Sequence, residues 1–212
     1  GQLSAANVHV APGLGNAMGS LYNAKFYGSP IILTAGQQEI GHGLMEPMLY
    51  DSLVPIASPL VKWAFEVQRV QDLERVVRRA AKIALTPPTG PVFISLPGDI
   101  LDDQIDTPIG NPTRVNTNTR PSDDVLDNVA ERILISKSPI IIAGHELATR
   151  NALNQAGELA ILIGSPVWQQ TVPHGAHFCS EHDCFQGHLS RNQEQVKNIL
   201  VKHDLLIFLG SD

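Results

Sequence analysis

The chain has 212 residues, of which 43% are hydrophobic and 17% are charged, and its formal net charge is −6. This composition supports a buried core in one large or two modest domains, argues against intrinsic disorder, and contains no run of Lys and Arg that would favour a nucleic-acid partner. No apolar run approaches the roughly 20 residues that span a bilayer, and no signal-peptide pattern is visible. The cysteines are too few for a disulfide framework. We therefore expect a cytoplasmic protein without a membrane partner.

The first half of the sequence alternates short apolar runs with helical segments. The predicted strands are residues 7–10, 31–35, 62–66 and 91–96, and the predicted helices are residues 16–27, a short one near 45–52, and 72–85. The last of these helices has the clearest amphipathic pattern. Continuous apolar strands in the order β-α-β-α-β-α-β are typical of a doubly wound α/β domain with a buried parallel sheet.

A linker separates this region from a second one of the same kind. Residues 106–121 are rich in Pro, Thr and Asn and lack apolar periodicity, which is typical of an interdomain linker. Beyond the linker, where Ser122 is a candidate helix cap, the predicted helices are 123–135, 150–163 and 193–203, and the predicted strands are 139–143, 167–169 and 205–209. The predicted fold class is α/β, with two doubly wound parallel-sheet units at residues 1–105 and 122–212.

Residues 7–19, NVHVAPGLGNAMG, predict a strand that runs through a Gly/Pro turn into a helix. Such a turn would bring His9, Gly13 and Asn16 together at the carboxyl end of a strand, where ligands bind in open α/β sheets. The glycines do not fit a dinucleotide fingerprint, because three residues instead of two precede the last glycine and no acidic residue ends the next strand. Two interpretations of the turn stay open: either it only packs the helix, or it faces a ligand. A lone His in a strand is often a core residue, but the position of His9 directly before the turn favours an active-site role.

A second group of candidate residues lies in a loop of the second unit. His174, His177, Cys179, His182 and Cys184 are of the types that bind zinc in proteins. Their spacing, H-x2-H-x-C-x2-H-x-C, lacks the paired two-residue knuckles of a structural zinc site. We therefore favour a chance cluster over a metal site.

Four segments of the first unit, in this order, carry a resemblance to a known family. They are VH at residues 8–9 with GLGNAMG at 13–19, SPIILTAGQQ at 29–38, PLVKW at 59–63 and GPVFISLPGD at 90–99. Together they resemble thiamine-diphosphate-dependent enzymes of the decarboxylase and acetolactate synthase superfamily. The His before the glycines, the GNAMG segment and the LVKW segment favour the benzoylformate decarboxylase branch.

The resemblance continues into the second unit. Residues 138–144 and 164–168 resemble the first two strands of the family's central domain. Residues 182–187 resemble a structural loop of His-Pro-x-Phe-x-Gly type, with Asp183 where Pro is usual. This likeness further lowers the case for zinc.

The resemblance implies that the chain is part of a three-domain enzyme. Residues 1–105 would be the C-terminal part of the pyrimidine-binding domain, and residues 122–212 would be the N-terminal part of the central domain. The family's catalytic glutamate would precede Gly1, and the Gly-Asp-Gly…Asn motif that holds magnesium and diphosphate would follow Asp212. No Gly-Asp-Gly occurs in the sequence. We therefore expect a truncated and inactive piece of an enzyme that uses thiamine diphosphate and Mg²⁺.

The resemblance also implies roles for individual residues. His9 would be the catalytic proton carrier, and Gly13 and Asn16 would line the pyrimidine side of the cofactor. Met48 and Leu49 align with apolar residues of the substrate pocket, and Gln37 is a weaker pocket candidate. The active site would be shared between subunits of a homo-oligomer, either a dimer or a tetramer.

Several functions stay open for the chain. The first is a lyase that decarboxylates a 2-oxo acid such as benzoylformate non-oxidatively to an aldehyde. The runner-up is a carboligase of acetolactate synthase type. Two alternatives from other classes are a non-catalytic scaffold and a nucleotide-binding module in the central domain, since some relatives hold a flavin or nucleotide there.

Overall fold

The structure is a computed structural model, and it describes residues 2–106, 108–172 and 175–211. The chain divides into two compact units, Gly1–Asn118 and Thr119–Asp212, called unit 1 and unit 2 below. The division falls within the predicted linker, residues 106–121. Among the helices of the described residues, none combines the length and the apolar character that crossing a membrane requires.

Unit 1 is a parallel sheet covered by helices on both faces. Its elements are β1 (Ser4–His9), α1 (Val10–Phe26), β2 (Ile31–Gln37), α2 (Leu53–Ala57), β3 (Ala64–Glu66), α3 (Leu73–Leu85), β4 (Val92–Pro97) and α4 (Gly98–Asp102), with 3₁₀ turns at His42–Met45, Ser58–Leu60 and Val70–Asp72. The strand order is β1-β2-β4-β3, and every pair is parallel. The predicted doubly wound α/β class is confirmed for this unit.

The two faces of this sheet bury separate apolar clusters. On one face, α1 and α2 contribute Leu14 and Leu53, which pack with Phe93 of β4. On the other face, α3 contributes Val76 and other apolar residues, which pack with residues of β2 and β4. Because β2 and β4 are covered on both faces, their strands read as continuous apolar runs in the sequence. Strand β1 lies at the edge of the sheet and is mostly exposed.

The predicted turn after the first strand is wrong. Helix α1 begins at Val10, directly after His9, rather than near residue 16, so Val10 is not a strand residue and Gly13 lies on a helix. Pro12 is compatible with this because a proline in the first turn of a helix removes an N–H group that has no intrahelical partner. The short helix predicted near residues 45–52 is also wrong, since a 3₁₀ turn precedes it and α2 follows it. Helix α4 was not predicted.

Lys62 of the Leu-Val-Lys-Trp segment closes the carboxyl end of α3. Its Nζ donates hydrogen bonds to the carbonyl oxygens of Ile83 and Thr86, at 2.5 and 2.6 Å. Partial burial lowers the pKa of the Lys62 ammonium group. A cation at this end of a helix satisfies carbonyls that have no intrahelical partner and opposes the negative end of the helix dipole. This motif residue therefore has a structural role.

Unit 2 repeats the same architecture. Its elements are α5 (Asp123–Ile135), β5 (Pro139–Ala143), α6 (Glu146–Thr149), α7 (Leu153–Ile163), β6 (Val167–Gln169), β7 (Phe185–His188), α8 (Gln193–Leu200) and β8 (Leu205–Leu209). The strand order is β7-β6-β5-β8, again parallel throughout. Strands β5, β6 and β8 and helix α5 have the bounds that the sequence predicts. The predicted class of two parallel-sheet units is thus confirmed.

Three predictions for unit 2 need correction. The helix predicted over residues 150–163 is α7, which begins at Leu153, and the short helix α6 before it was not predicted. Asn151 lies between them with a φ of +55°, in the left-handed conformation that Asn tolerates. Strand β7 was missed. Helix α8 ends at Leu200 rather than at residue 203, and the Ser122 side chain makes no capping hydrogen bond.

A carboxylate ties the turn before β5 to the start of β8. The Asp204 side chain accepts hydrogen bonds from Ser136 Oγ at 2.5 Å, Lys137 N at 2.8 Å and Ser138 N at 3.0 Å. The Ser136 hydroxyl and then the two backbone N–H groups lower the pKa of Asp204 to about 2. The three donors stabilise the charged form of the carboxyl group.

Candidate functional site

His9 is the last residue of β1 and lies at the carboxyl end of the unit 1 sheet. It pairs in register with Gly36 of β2. Its side chain is exposed, and neither ring nitrogen has a hydrogen-bond partner within the described ranges. An imidazole in this condition can meet a ligand without first breaking a hydrogen bond within the described part of the chain.

The backbone turns sharply between His9 and the helix that follows. Val10 has a φ of +49° although it is β-branched, and its side chain is 3% exposed. A left-handed conformation costs such a residue on the order of 1–2 kcal/mol, and it persists only where the surrounding structure fixes it. The buried Val10 side chain therefore anchors the junction from which the His9 side chain projects.

Gly13 and Asn16 lie on the first turns of α1. A Cβ on residue 13 would lie 3.3 Å from Val8 Cβ and 3.9 Å from His9 Cβ, so the missing side chain lets α1 approach the end of β1 closely. Asn16 is exposed and stands three residues further along the helix, which places it on the same side as Gly13. The structure thus brings Gly13 beside His9, with Asn16 one turn away.

Residues 38–52, called the edge loop below, are attached to the carboxyl end of β2. Gln37 Nε2 donates a hydrogen bond to the carbonyl oxygen of Asp51 at 2.8 Å, and Gln38 Nε2 donates one to that of Met48 at 3.2 Å. The Gln37 Oε1 atom accepts from the Gln38 backbone N–H at 2.8 Å. Both polar ends of the Gln37 amide are therefore used to hold the edge loop.

The edge loop is also attached to α1 and α4. The Ala11 backbone N–H donates to the carbonyl oxygen of Leu49 at 3.4 Å. The Ile40 N–H donates to Asp99 Oδ1 at 3.3 Å. Since Ala11 lies in the first turn of α1, its contact brings Leu49 close to His9.

The edge loop exposes several large apolar side chains. Leu44 is 94% exposed and Met48 is 80% exposed, and Met45 and Leu49 are exposed as well. Leu49 and Glu46 have φ values of +71° and +46° although neither is glycine. Strained backbone together with exposed apolar side chains is typical of a ligand-binding loop.

The predicted site residues are therefore placed unequally. His9, Gly13 and Leu49 lie together at one end of the sheet, Asn16 lies beyond them on α1, and Met48 is exposed on the edge loop. Gln37 is buried beneath that loop. Sequence reasoning missed the position of Gly36 opposite His9, which the pairing of β1 with β2 reveals, and the left-handed conformation of Val10.

Part of the His and Cys cluster of unit 2 packs within the fold, whereas Cys179 is exposed. His177 is buried, and His182 Nδ1 accepts a hydrogen bond from the Cys184 N–H at 3.2 Å. The other ring nitrogen of His182 lies 2.9 Å from where a Cβ on Gly157 would stand. His174 lies outside the described residues, and among those that are described no three His, Cys, Asp or Glu side chains form a metal-binding group.

Unit 2 also has a groove, of about 690 Å³, along α8. The groove is lined by both polar and apolar side chains, namely Thr171, Ser190, Arg191, Gln193, Val196, Lys197, Leu200, Val201 and Leu206. At the carboxyl ends of β5 and β8, where an open sheet would bind a ligand, the loops lie against each other. The Gly144 N–H donates to Leu209 O at 3.0 Å, and the Glu146 N–H donates to Gly210 O at 3.1 Å.

Comparisons with known proteins agree with the sequence resemblance. Residues 126–212 match the family model described as "Thiamine pyrophosphate enzyme, central domain". The chain is 32% identical to a benzoylformate decarboxylase of Pseudomonas aeruginosa, an alignment that covers 100% of this chain and 40% of that protein. It is 27% identical to an acetolactate synthase of Mycobacterium bovis, over 94% of this chain and 33% of that protein.

A solved structure gives the same result for the fold. The benzoylformate decarboxylase of Polynucleobacter necessarius superposes with a TM-score of 0.90 at 33% identity, covering 99% of this chain and 39% of that structure. The chain spans two fifths or less of the length of each of these relatives.

The carboxyl edge of unit 1 fits part of the thiamine diphosphate cofactor. His9 is exposed there without a hydrogen-bond partner among the described residues, and Met48 and Leu49 expose apolar surface. A Cβ at Gly15 or Gly19 of α1 would meet no atom within 4 Å, so this helix also leaves open space.

Proposed function

We propose that this chain is part of a 2-oxo acid decarboxylase. The premise is that the chain belongs to the thiamine-diphosphate-dependent enzymes of the decarboxylase and acetolactate synthase superfamily. The proposed reaction is the non-oxidative conversion of a 2-oxo acid such as benzoylformate to an aldehyde and carbon dioxide. The observation that carries the proposal is the exposed imidazole of His9, which has no hydrogen-bond partner in the described part of the chain, beside the apolar edge loop. The likeness to two benzoylformate decarboxylases supports the choice of reaction.

In this proposal His9 is the catalytic residue of unit 1. Thiamine diphosphate, when bound, supplies the electron sink for breaking the bond to the carboxylate carbon. His9 holds a proton at a ring nitrogen and exchanges it with the reacting part of the substrate. General acid–base catalysis by a positioned imidazole contributes about 100-fold to 10,000-fold to a rate.

The other predicted residues would bind and orient. Gly13 and Asn16 would line the pyrimidine side of the cofactor, where Gly13 keeps α1 close to His9. Met48 and Leu49 would form the apolar wall of the substrate pocket and exclude water from it. Gln37 would act beneath this wall, because its amide holds the edge loop through Asp51.

The chain by itself would be inactive in this proposal. The magnesium and diphosphate motif of the family has no counterpart in these 212 residues, so the chain would supply only the pyrimidine side of the site. Isothermal titration calorimetry of the 212-residue chain with thiamine diphosphate and Mg²⁺ should show no binding at micromolar cofactor. Micromolar binding would contradict the proposed inactivity of the chain.

The proposal extends to assembly and location. The active site would be shared between two subunits of a homo-oligomer, either a dimer or a tetramer, and the protein would be cytoplasmic. Sedimentation of the full-length protein at equilibrium should give a mass of at least twice that of one subunit. A monomer with full activity would remove the shared site from the proposal.

The experiment that tests the reaction is a product assay on the full-length protein. With thiamine diphosphate and Mg²⁺ present, benzoylformate should be converted to benzaldehyde and carbon dioxide. Formation of an acetohydroxy acid from pyruvate instead would favour carboligation of acetolactate synthase type. No turnover of any 2-oxo acid would defeat both reactions and leave a scaffold function.

A further inference from the structure

His9 and Gly36 face each other across the ladder that joins β1 and β2. Register partners in neighbouring strands direct their side chains to the same face of the sheet. The preceding pair on this face, Asn7 and Thr34, shows the consequence, because Thr34 Oγ1 donates a hydrogen bond to Asn7 Oδ1 at 2.7 Å. A side chain at position 36 would stand next to the imidazole in the same way.

The imidazole already occupies that space. A Cβ on residue 36 would lie 3.3 Å from Nδ1 and 3.9 Å from Cε1 of His9, and the first distance is tighter than ordinary van der Waals contact. The φ of Gly36 is not in the left-handed region, so its backbone does not require a glycine. Glycine in a strand is otherwise unfavourable, because it loses more conformational entropy on folding than other residues.

The position of the His9 ring offers a reason for a glycine at position 36. We propose that Gly36 is a positioning residue for His9, whose missing side chain lets the imidazole lie against β2. The junction at Val10 fixes the backbone from which the ring projects, and the gap at Gly36 fixes where the ring lies. With a methyl group at position 36, the imidazole would turn away from the strand.

A double-mutant cycle on the 212-residue chain tests the contact without any assay of turnover. The four chains are the wild type, Gly36→Ala, His9→Ala and the double variant, and the measurement is unfolding in urea. Gly36→Ala should raise the unfolding equilibrium constant about threefold when His9 is present, because the exposed imidazole has to leave its preferred position to make room for the methyl group. In the His9→Ala background the same change should have no destabilising effect, because the ring that it meets is absent.

Gly19→Ala on α1 is the matched control for the cycle. A Cβ on Gly19 would meet no atom within 4 Å, so this substitution should have the same small effect in both backgrounds. If Gly36→Ala destabilises the two backgrounds equally, Gly36 does not act through the ring and the proposal is overturned. A Gly36→Ala chain that does not fold supports the proposal if the double variant folds, and overturns it if the double variant also fails.

Nuclear magnetic resonance gives a readout that Gly36→Ala would not change if Gly36 had a purely structural role. In the wild-type chain, the ring proton on Cε1 of His9 should show a nuclear Overhauser effect to the α-protons of Gly36. In Gly36→Ala this effect should weaken or vanish, with a changed shift for His9 and unchanged shifts for His188 and His203. An unchanged His9 signal in a folded Gly36→Ala chain would overturn the proposal.

The catalytic consequence of this contact rests on the proposed function, whereas the contact itself does not. In the full-length enzyme, Gly36→Ala should lower kcat about tenfold and leave KM within about twofold, because a misplaced proton carrier affects the reaction more than binding. An unchanged kcat despite a displaced ring would overturn the positioning role. A wild-type enzyme without turnover would defeat the proposed function, while the cycle would still decide the contact.

Discussion

The carboxyl edges of the two sheets differ although the sheets are built alike. In unit 1 this edge has an exposed histidine and a loop with exposed apolar side chains, and Met48 is 80% exposed. In unit 2 the segment after β6 closes the edge with buried side chains, and Phe178 and His177 are only 2% and 1% exposed. Gln169 at the end of β6 donates a hydrogen bond to the carbonyl oxygen of Phe178 at 3.2 Å, which ties that segment down.

Backbone strain follows the same division. In the described part of the chain, four residues other than glycine have a positive φ, and three of them, Val10, Glu46 and Leu49, lie at the open edge of unit 1. Strained residues persist where the surrounding fold fixes them and are frequent at functional sites. The comparison teaches that one architecture provides an open edge with exposed apolar side chains in unit 1 and a closed edge in unit 2.

The largest expected effect is a loss of activity, and it should differ between the histidines that end β1 and β7. His9→Ala in the full-length protein should lower kcat by about 100-fold to 10,000-fold, because it removes the proposed proton carrier. His188→Ala is the matched control, since His188 is exposed at the carboxyl end of β7 and packs edge-on against Phe185. Steady-state kinetics with benzoylformate should show little change for this control. Equal losses in the two variants would remove the distinction between the edges.

The loops at the two edges should differ in their contribution to stability. Phe178→Ala should lower the free energy of unfolding by about 3–5 kcal/mol, because it opens a cavity in the closed edge of unit 2. Leu44→Ala in the edge loop of unit 1 is the counterpart, and with 94% exposure it should change stability by less than about 0.5 kcal/mol. Urea unfolding of both variants measures the difference. A cost for Leu44→Ala as large as that for Phe178→Ala would show that the edge loop of unit 1 is also part of a core.

A smaller effect tests how the edge loop is held. Gln37→Leu should release the partly buried hydrogen bond to Asp51 and cost about 1 kcal/mol. Amide hydrogen exchange over residues 38–52 should become faster than in the wild type. Gln68→Leu, on an exposed side chain that donates a hydrogen bond to Glu66, serves as the control and should leave that exchange unchanged. Protection of the loop that persists in Gln37→Leu would mean that other contacts hold it.

The smallest effect is a pH dependence in unit 2. The folded pKa of Asp204 is about 2, below the ordinary value of 3.8, so the unfolded chain binds more protons between these two pH values. The stabilising contribution of Asp204 is therefore complete above pH 4 to 5 and is lost as the pH falls towards 2. Because the side chain is exposed, solvent screening keeps the effect small.

Acid titration of stability measures this contribution. Asp204→Asn should flatten the loss of stability between about pH 4 and pH 2 relative to the wild type. Asp127→Asn, an exposed carboxylate on α5, is the control and should leave the curve unchanged. If the stability of Asp204→Asn falls with pH as steeply as that of the wild type, the Asp204 carboxylate does not stabilise the turn at Ser136.

The sequence predicted the buried strands well, and long-range features poorly. Strands β5, β6 and β8 were found because they are apolar runs bounded by turn residues, whereas β7 reads FQGH and becomes a strand only by pairing with β6. The start of α1 was misplaced because Val10 takes a conformation that its residue type disfavours. For the candidate site, the motif pointed to His9 and Gly13, which the structure brings together. The contact with Gly36 and the attachment of Gln37 depend on strand register and loop position, which no local pattern encodes.

Cofactor protection tests the central claim, that unit 1 has the open site and unit 2 has the closed edge. The measurement is hydrogen exchange of the full-length protein with and without thiamine diphosphate and Mg²⁺. Slower exchange over residues 9–16 and 38–52, with no change over residues 143–147 and 209–211, is the predicted result. Protection confined to the carboxyl edge of unit 2 would contradict the account.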